Sequence, residues 1–218
     1  MKHIVFLPGI AADERIFDFI ELQNCTKQFI KWTKPDKNES FTSYLNKIKR
    51  EIDSPVLPIL IGVSLGGIFA MELRELIKTE KTILISSVKS KNEMPASFNW
   101  IRKIHLNKII PISIVKKTAP IIKPLVEDTS DTEAWGRFIN MLKDSDSDFI
   151  KTGFRYALEW ERIDYNKKNL VHIHGTDDKV FPIKKIQNYS NLIIGGSHDM
   201  VMTKPKEISM ILNKEIFN

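Results

Sequence analysis

At 218 residues, 42% hydrophobic and 28% charged, the chain has the balance of a globular protein with enough apolar material for a sizeable core, and its length favours a single domain over residues 1–218. No stretch approaches the roughly 18 apolar residues of a membrane span, and the single cysteine, Cys25, excludes an internal disulfide, fits a reducing, cytoplasmic setting and reads as a small buried hydrophobe. The net charge of +6 comes from lysines spread along the chain, with no zinc-finger, RNA-binding or helix-turn-helix pattern, so it reads as solvated surface and not as a nucleic-acid site.

His3 to Leu7 is expected as a short buried strand. Its basic start and apolar run faintly resemble a secretory signal, but Pro8-Gly9 interrupts the run and ends the strand. Ala12 to Leu22 is expected as a short helix and Thr26 to Trp32 as a second strand. After the polar turn TKPDKNES, Ser40 is an N-cap, and Phe41, Tyr44, Leu45, Ile48 and Ile52 recur at helical spacing until Ser54-Pro55 stops the helix. Val56 to Val63 is a central strand, Ser64 to Thr79 a helix and Lys81 to Ser87 another strand. Val171 to His174 and Asn191 to Ile194 are two more strands, with a short helix near Ile183 to Asn188 between them. Lys204 to Asn213 closes the chain as a helix, with Pro205 in its first turn. This alternation implies βαβ units and an α/β fold with a mainly parallel sheet. Residues 89–169 are too long for one crossover and read as several helices, an insertion covering one end of the sheet.

The stretch PILIGVSLGGIFAMEL, Pro58 to Leu73, runs from strand into helix through Gly62-Val63-Ser64-Leu65-Gly66-Gly67. A strand that turns straight into a helix strains the residue at its apex. Gly62 and Gly66 remove side chains that would collide as strand and helix close together, and the Ser64 hydroxyl is lifted to the sheet edge at the helix N-terminus. This is the G-x-S-x-G nucleophile elbow; a strand-to-helix turn with an incidental serine is the plain alternative. A serine hydroxyl needs a base within hydrogen-bond reach and an acid to orient that base. In a parallel sheet these come from loops after later strands. The loop in VHIHGTDDKVFP offers Asp177 and Asp178, and the loop in LIIGGSHDM offers His198. His172 and His174, taken to face opposite sides of their strand, read as packed or surface histidines; His3 and His105 have no supporting motif.

From IVFLPGI through GVSLGG, HGTDDKVFP and GGSHDM, the sequence resembles the α/β-hydrolase fold superfamily, and most closely its small bacterial serine hydrolases. The resemblance spans nearly the whole chain. It implies a three-layer sandwich with a mostly parallel sheet of about six strands, and an order of nucleophile, acid and base that falls on Ser64, Asp178 and His198. The family's acid lies three residues after the glycine and four before the proline, which between Gly175 and Pro182 is Asp178; Asp177 is then a turn residue. The N–H of Leu65, next to the nucleophile, is one oxyanion donor. The second belongs to the loop after the first strand, where the family usually has His-Gly. Here Pro8 replaces the histidine and has no N–H to offer, so Ile10 is the expected donor.

Between residues 89 and 123 eight bases face one acid, and from 127 to 148 seven acids face two bases. The basic half also carries Ile109, Ile110, Ile112, Ile114, Ile121, Ile122 and Leu125, broken by Pro111, Pro120 and Pro124. The prolines exclude one long helix. Short helices folded over the site would line an apolar acyl pocket, while the charges read either as solvated surface or as a basic rim for an anionic substrate or carrier. Trp100, Trp135 and Trp160 are expected to pack in the core or to wall that pocket. The expected activity is hydrolysis of an ester or thioester of a small to medium acyl group, with no metal or organic cofactor. A ligand-sensing protein with little turnover and an anionic-surface binding module are the rival readings.

Overall fold

The computed structural model describes residues 1–52, 54–103, 123 and 131–217. Six strands form one parallel sheet: β1 (Lys2–Leu7), β2 (Cys25–Phe29), β3 (Ile59–Val63), β4 (Lys81–Ile85), β5 (Leu170–Gly175) and β6 (Asn191–Ile193), in the order β2-β1-β3-β4-β5-β6. Among the described residues the α-helices are α1 (Phe41–Glu51), α2 (Leu65–Leu76), α3 (Ala96–Lys103), α4 (Thr132–Asp144), α5 (Ser147–Glu159), α6 (Met200–Thr203) and α7 (Pro205–Phe217).

Strands covered on both faces must be apolar at every position, and β3 is buried along its whole length. Ile4, Phe6, Ile59, Ile61, Ile83, Ile85, Val171 and Ile173 point to one core, closed by Ile208, Leu212 and Ile216 of α7. Val5, Leu7, Leu60 and Leu84 point to the other, closed by Tyr44, Leu45 and Ile48 of α1 and by Ile68, Phe69 and Leu73 of α2. The result is the expected three-layer sandwich with six strands. Ser40 caps α1 by accepting the Ser43 N–H at 3.1 Å, and Pro205 opens α7.

Three expectations need correction. Ala12 to Leu22 is not an α-helix; only Glu14–Phe17 form a 3₁₀ turn. Asp13 takes both the N–H and the guanidinium of Arg15, which closes a tight turn, and the Glu21 N–H goes to the Ser209 hydroxyl of α7 at 2.9 Å. Cys25 is only half-buried, because it begins an edge strand. His172 and His174 share one face of β5, because residues two apart in a strand point the same way. Their rings are 5.1 Å apart and both are buried.

Ile109, Ile110, Ile112, Ile114, Ile121, Ile122, Leu125, Pro111, Pro120, Pro124, His105 and most of the basic stretch lie outside the described residues. Three bases of that stretch have described side chains, and none is free at a rim: Lys123 Nζ lies 5.5 Å from the Trp135 ring centre. Lys89 is buried against Glu93, its Nζ 2.8 Å from Oε1, and Lys91 pairs with Glu161. Trp160 is a core residue whose indole N–H donates to Glu72 at 2.7 Å. Trp135 packs partly buried beside Phe138, and the side chain of Trp100 is not among those described.

Candidate active site

Ser64 sits where β3 ends and α2 begins, at φ 52° and ψ −117°, a strained backbone for a non-glycine residue. The neighbouring glycines make this turn possible, though not both in the expected way. A Cβ on Gly62 would come within 2.4 Å of the Gly66 carbonyl oxygen, which is the expected strand–helix collision. A Cβ on Gly66 would instead lie 2.0 Å from the Leu7 carbonyl oxygen. Gly66 thus lets the helix approach the end of β1 and the loop that follows.

The structure brings Ser64, His198 and Asp178 together from three strand ends. His198 Nε2 lies 2.9 Å from Ser64 Oγ, and its Nδ1 lies 2.9 Å from Asp178 Oδ2. Asp178 is buried, and its Oδ1 also accepts the N–H groups of Val180 and Phe181 at 2.9 and 2.8 Å. Burial opposes its ionisation, but the His198 charge and hydrogen bond, His174 and the Phe181 N–H together hold its carboxyl below the usual range. An ionised Asp178 only accepts, so the Nδ1 of His198 carries the proton and Nε2 is left to accept from the serine hydroxyl. Asp177 is exposed; its carboxylate accepts from the Thr176 hydroxyl at 2.7 Å, and its N–H holds the Gly196 carbonyl at 2.9 Å. It is the turn residue of the pair.

Asp178 and His198 are kept in register by an approach of backbones that the motif alone did not reveal. A Cβ on Gly175 would lie 2.0 Å from the Gly196 carbonyl oxygen, so the two loops pack directly on each other. His174 adds a further tie. Its Nε2 donates to the Phe181 carbonyl at 2.8 Å, and the Phe181 ring meets His198 edge-on at 5.5 Å. Burial pushes the His174 pKa below its usual value, despite Asp178 nearby, and pushes that of His172 well below, helped by the Lys89 charge. Lys89 Nζ lies 2.6 Å from His172 Nδ1.

Ile10 and Leu65 flank Ser64 on a common cavity, and neither N–H donates to another group among the described residues. Gly9 brings the loop after β1 to the serine: a Cβ there would be 3.5 Å from the Ser64 Cβ. The cavity measures about 440 Å³. Phe98 of α3, Phe138 and Leu142 of α4, and Ile150 and Phe154 of α5 wall it together with Ile16, so the described helices of residues 89–169 supply one apolar side of it, and the loop after β1, the start of α2, the loop of Phe181 and Met202 of α6 supply the rest. Among the described residues no group of acids, histidines and cysteines is placed to hold a metal, and no helix is long and apolar enough to cross a membrane.

This architecture, with a strained serine after the third strand and Asp178 and His198 after the fifth and sixth, is that of the α/β-hydrolase fold. A hydrolase from Pseudomonas aeruginosa PA01 superposes with a TM-score of 0.74 at 14% identity, over 99% of this chain and 89% of that one. An esterase from Exiguobacterium antarcticum superposes with a TM-score of 0.69 at 17% identity, over 100% and 92%. An epoxide hydrolase from Bacillus megaterium does so with a TM-score of 0.68 at 14% identity, over 100% and 94%. No family model and no curated protein sequence matches the chain. At these identities the likeness carries the fold; the chemistry rests on the site.

Proposed function

We propose that the protein is a serine hydrolase that cleaves an ester or thioester of a neutral, apolar acyl group. The observation that carries this reading is the unbroken chain from Ser64 Oγ to His198 to Asp178, with both links at 2.9 Å. His198 takes the serine proton as Ser64 attacks the carbonyl carbon, and Asp178 stabilises the resulting imidazolium. The N–H groups of Leu65 and Ile10 receive the developing oxyanion. His198 then protonates the leaving group, and water cleaves the acyl-enzyme by the same route. The acyl group enters the 440 Å³ cavity, whose apolar walls favour uncharged chains of small to medium size. The free thiol of Cys25 fits a cytoplasmic setting.

The test is labelling with a fluorophosphonate, followed by a panel of 4-nitrophenyl esters and matched thioesters of rising chain length. Ser64→Ala should remove labelling and lower kcat by about 10⁶-fold with the fold intact. Wild-type turnover in that variant would end the assignment.

A further inference from the structure

We infer that Trp32 is the positioning residue of the oxyanion hole, an inference that rests on the hydrolase reading. The family's usual histidine is absent from this loop, where Pro8 stands, yet the loop is not left unsupported. The indole N–H of Trp32 donates to the Gly9 carbonyl at 3.1 Å. No peptide bond among the described residues is cis, and in a trans peptide the carbonyl and the following N–H point in opposite directions. Holding the Gly9 carbonyl on one side therefore aims the Ile10 N–H to the other. Gly9, Ile10 and Ser64 line the same cavity, and that N–H has no acceptor among the described residues.

Trp32 is a rigid anchor. Its ring stacks on Phe149 of α5 at 4.8 Å and 13°, and lies 4.8 Å from Phe69 of α2. Both partners are buried. The indole thus ties the loop over the serine to the helix that carries the elbow and to a helix that walls the acyl cavity.

The test replaces only the donor. β-(3-Benzothienyl)alanine at position 32 keeps the shape of indole and puts sulfur in place of the N–H; Trp32→Phe is the genetic counterpart. With 4-nitrophenyl butyrate, kcat should fall about three- to thirtyfold with KM within twofold. That is less than the 10²–10³ expected for deleting an oxyanion donor outright, because the Ile10 N–H remains. Amide exchange across residues 8–12 should quicken. An unchanged kcat with unchanged exchange in a folded variant would overturn the inference. If the wild type hydrolyses nothing and escapes the fluorophosphonate, the hydrolase reading and the catalytic role of Trp32 both fall. Quickened exchange would then still establish the anchor.

A separate observation carries a second inference: we propose that the face of α5 turned away from the acyl cavity binds an anionic group on the leaving half of the substrate. It too rests on the hydrolase reading. Ile150, Phe154 and Ala157 line the first cavity, while Asp148, Thr152 and Arg155 line a second of about 520 Å³, and Lys151 lines both. Across the second cavity lies the loop from Lys34 to Asn38. Its acids are already taken, Asp148 by Lys34 at 2.8 Å and Asp36 by Lys47 at 2.6 Å. Lys37, Lys151 and Arg155 have no carboxylate at ion-pair distance among the described residues. Arg155 is held in place, donating to the Glu39 carbonyl at 2.5 Å with its guanidinium 5.2 Å from the Tyr156 ring centre. A charge on the acyl half would be costly among the apolar walls, so the surplus positive charge beyond Lys151 suits a phosphate or carboxylate on the leaving half.

Paired substrates read this directly. Butyryl-coenzyme A is compared with butyryl-N-acetylcysteamine, and 4-carboxyphenyl butyrate with phenyl butyrate. At low ionic strength at least one anionic member should have the higher kcat/KM, by about three- to tenfold. The pair that responds distinguishes phosphate from carboxylate. The advantage should vanish in 0.5 M NaCl and in the double variant Lys37→Glu/Lys151→Glu. Ratios near one in both pairs, indifferent to salt and to the double variant, would overturn it. Calorimetry of coenzyme A with Ser64→Ala separates the two readings. Salt-sensitive binding lost in the double variant would keep the subsite even if no ester were hydrolysed.

Discussion

The rim of the sheet and the helical wall above it are held together by different forces. At the rim, backbone meets backbone: Gly66 against Leu7, Gly175 against Gly196, and Asp178 gripped by two N–H groups of its own loop. At the wall, Phe98, Phe138, Leu142, Ile150 and Phe154 meet the cavity through apolar side chains alone. Close backbone contact allows almost no adjustment, whereas apolar walls tolerate exchange at similar volume. On the proposed serine-hydrolase reading, changes at the rim should therefore alter how fast the reaction runs, and changes at the wall should alter which acyl group reacts.

The largest expected effect is at the acid. Asp178→Asn would offer an amide N–H to Nδ1 of His198 and so favour the tautomer with the proton on Nε2, where it cannot accept from Ser64. The kcat for 4-nitrophenyl butyrate should fall about 10⁴-fold. Asp177→Asn, at the exposed turn, should stay within twofold. Similar losses in the two variants would erase the distinction between the aspartates.

Next is Gly66→Ala. The added methyl would press on the Leu7 carbonyl and on that of Pro8, 2.5 Å away. Overpacking of this kind costs about 1–3 kcal/mol, and the strain falls on the loop that carries Ile10. Urea denaturation should report the lost stability, and kcat should fall at least tenfold. A variant of unchanged stability would mean that the helix and the end of β1 can separate.

Much of the rim was legible because its signals are local. The elbow announces itself in six consecutive residues, and Asp178 and His198 each follow their own strand within a few positions. What a local reading missed depends on contacts distant in the chain. Gly66 serves the end of β1, Gly175 serves Gly196, and Trp32 reaches back to Gly9; none of these pairings leaves a mark at short spacing. The two strand histidines were misplaced by a slip in periodicity, since a period of two puts alternate residues on one face. The 3₁₀ turn at Glu14–Phe17 was hidden because the Glu21 N–H found a partner on α7, 188 residues later. The opposed charge blocks of residues 89–148 read either as solvated surface or as a basic rim, and most of the basic block lies outside the described residues; within these, Lys89 is consumed by Glu93 and His172, and Lys37, Lys151 and Arg155, which line the second cavity, lie on the loop before α1 and on α5.

The wall should yield to milder changes. Phe154→Ala enlarges the cavity from α5 and should move the preferred 4-nitrophenyl ester to a longer acyl chain. The ratio of kcat/KM for octanoate to that for butyrate should rise about tenfold, the order expected when a pocket is resized by a few methylenes. Leu142→Trp should move the same ratio the other way. A uniform loss across the series would place Phe154 with the catalytic groups and break the division between rim and wall.

The smallest effect concerns stability and pH at the histidines behind the acid. His172 and His174 have folded pKa values below the ordinary 6.5, chiefly because they are buried. Below about pH 6.5 the unfolded chain therefore binds protons that the folded chain does not, so stability falls as pH falls, by up to about 1.4 kcal/mol per pH unit for each histidine. Asp178 contributes with the same sign but in a lower window. Its folded pKa is depressed, so its share persists above the ordinary carboxylate pKa of about 3.9 and is lost only as pH drops towards the folded value. Urea melts between pH 8 and pH 5 thus read mainly the histidines, with the Glu51 carboxyl, raised by burial, adding a contribution of opposite sign at the acid end. His172→Phe removes one of the two partners of Lys89 and should lower stability at every pH, so the informative quantity is the slope, which should fall by about half. An unchanged slope would mean that His172 titrates alike in the folded and unfolded chains, and that the buried pair behind Asp178 opens to solvent.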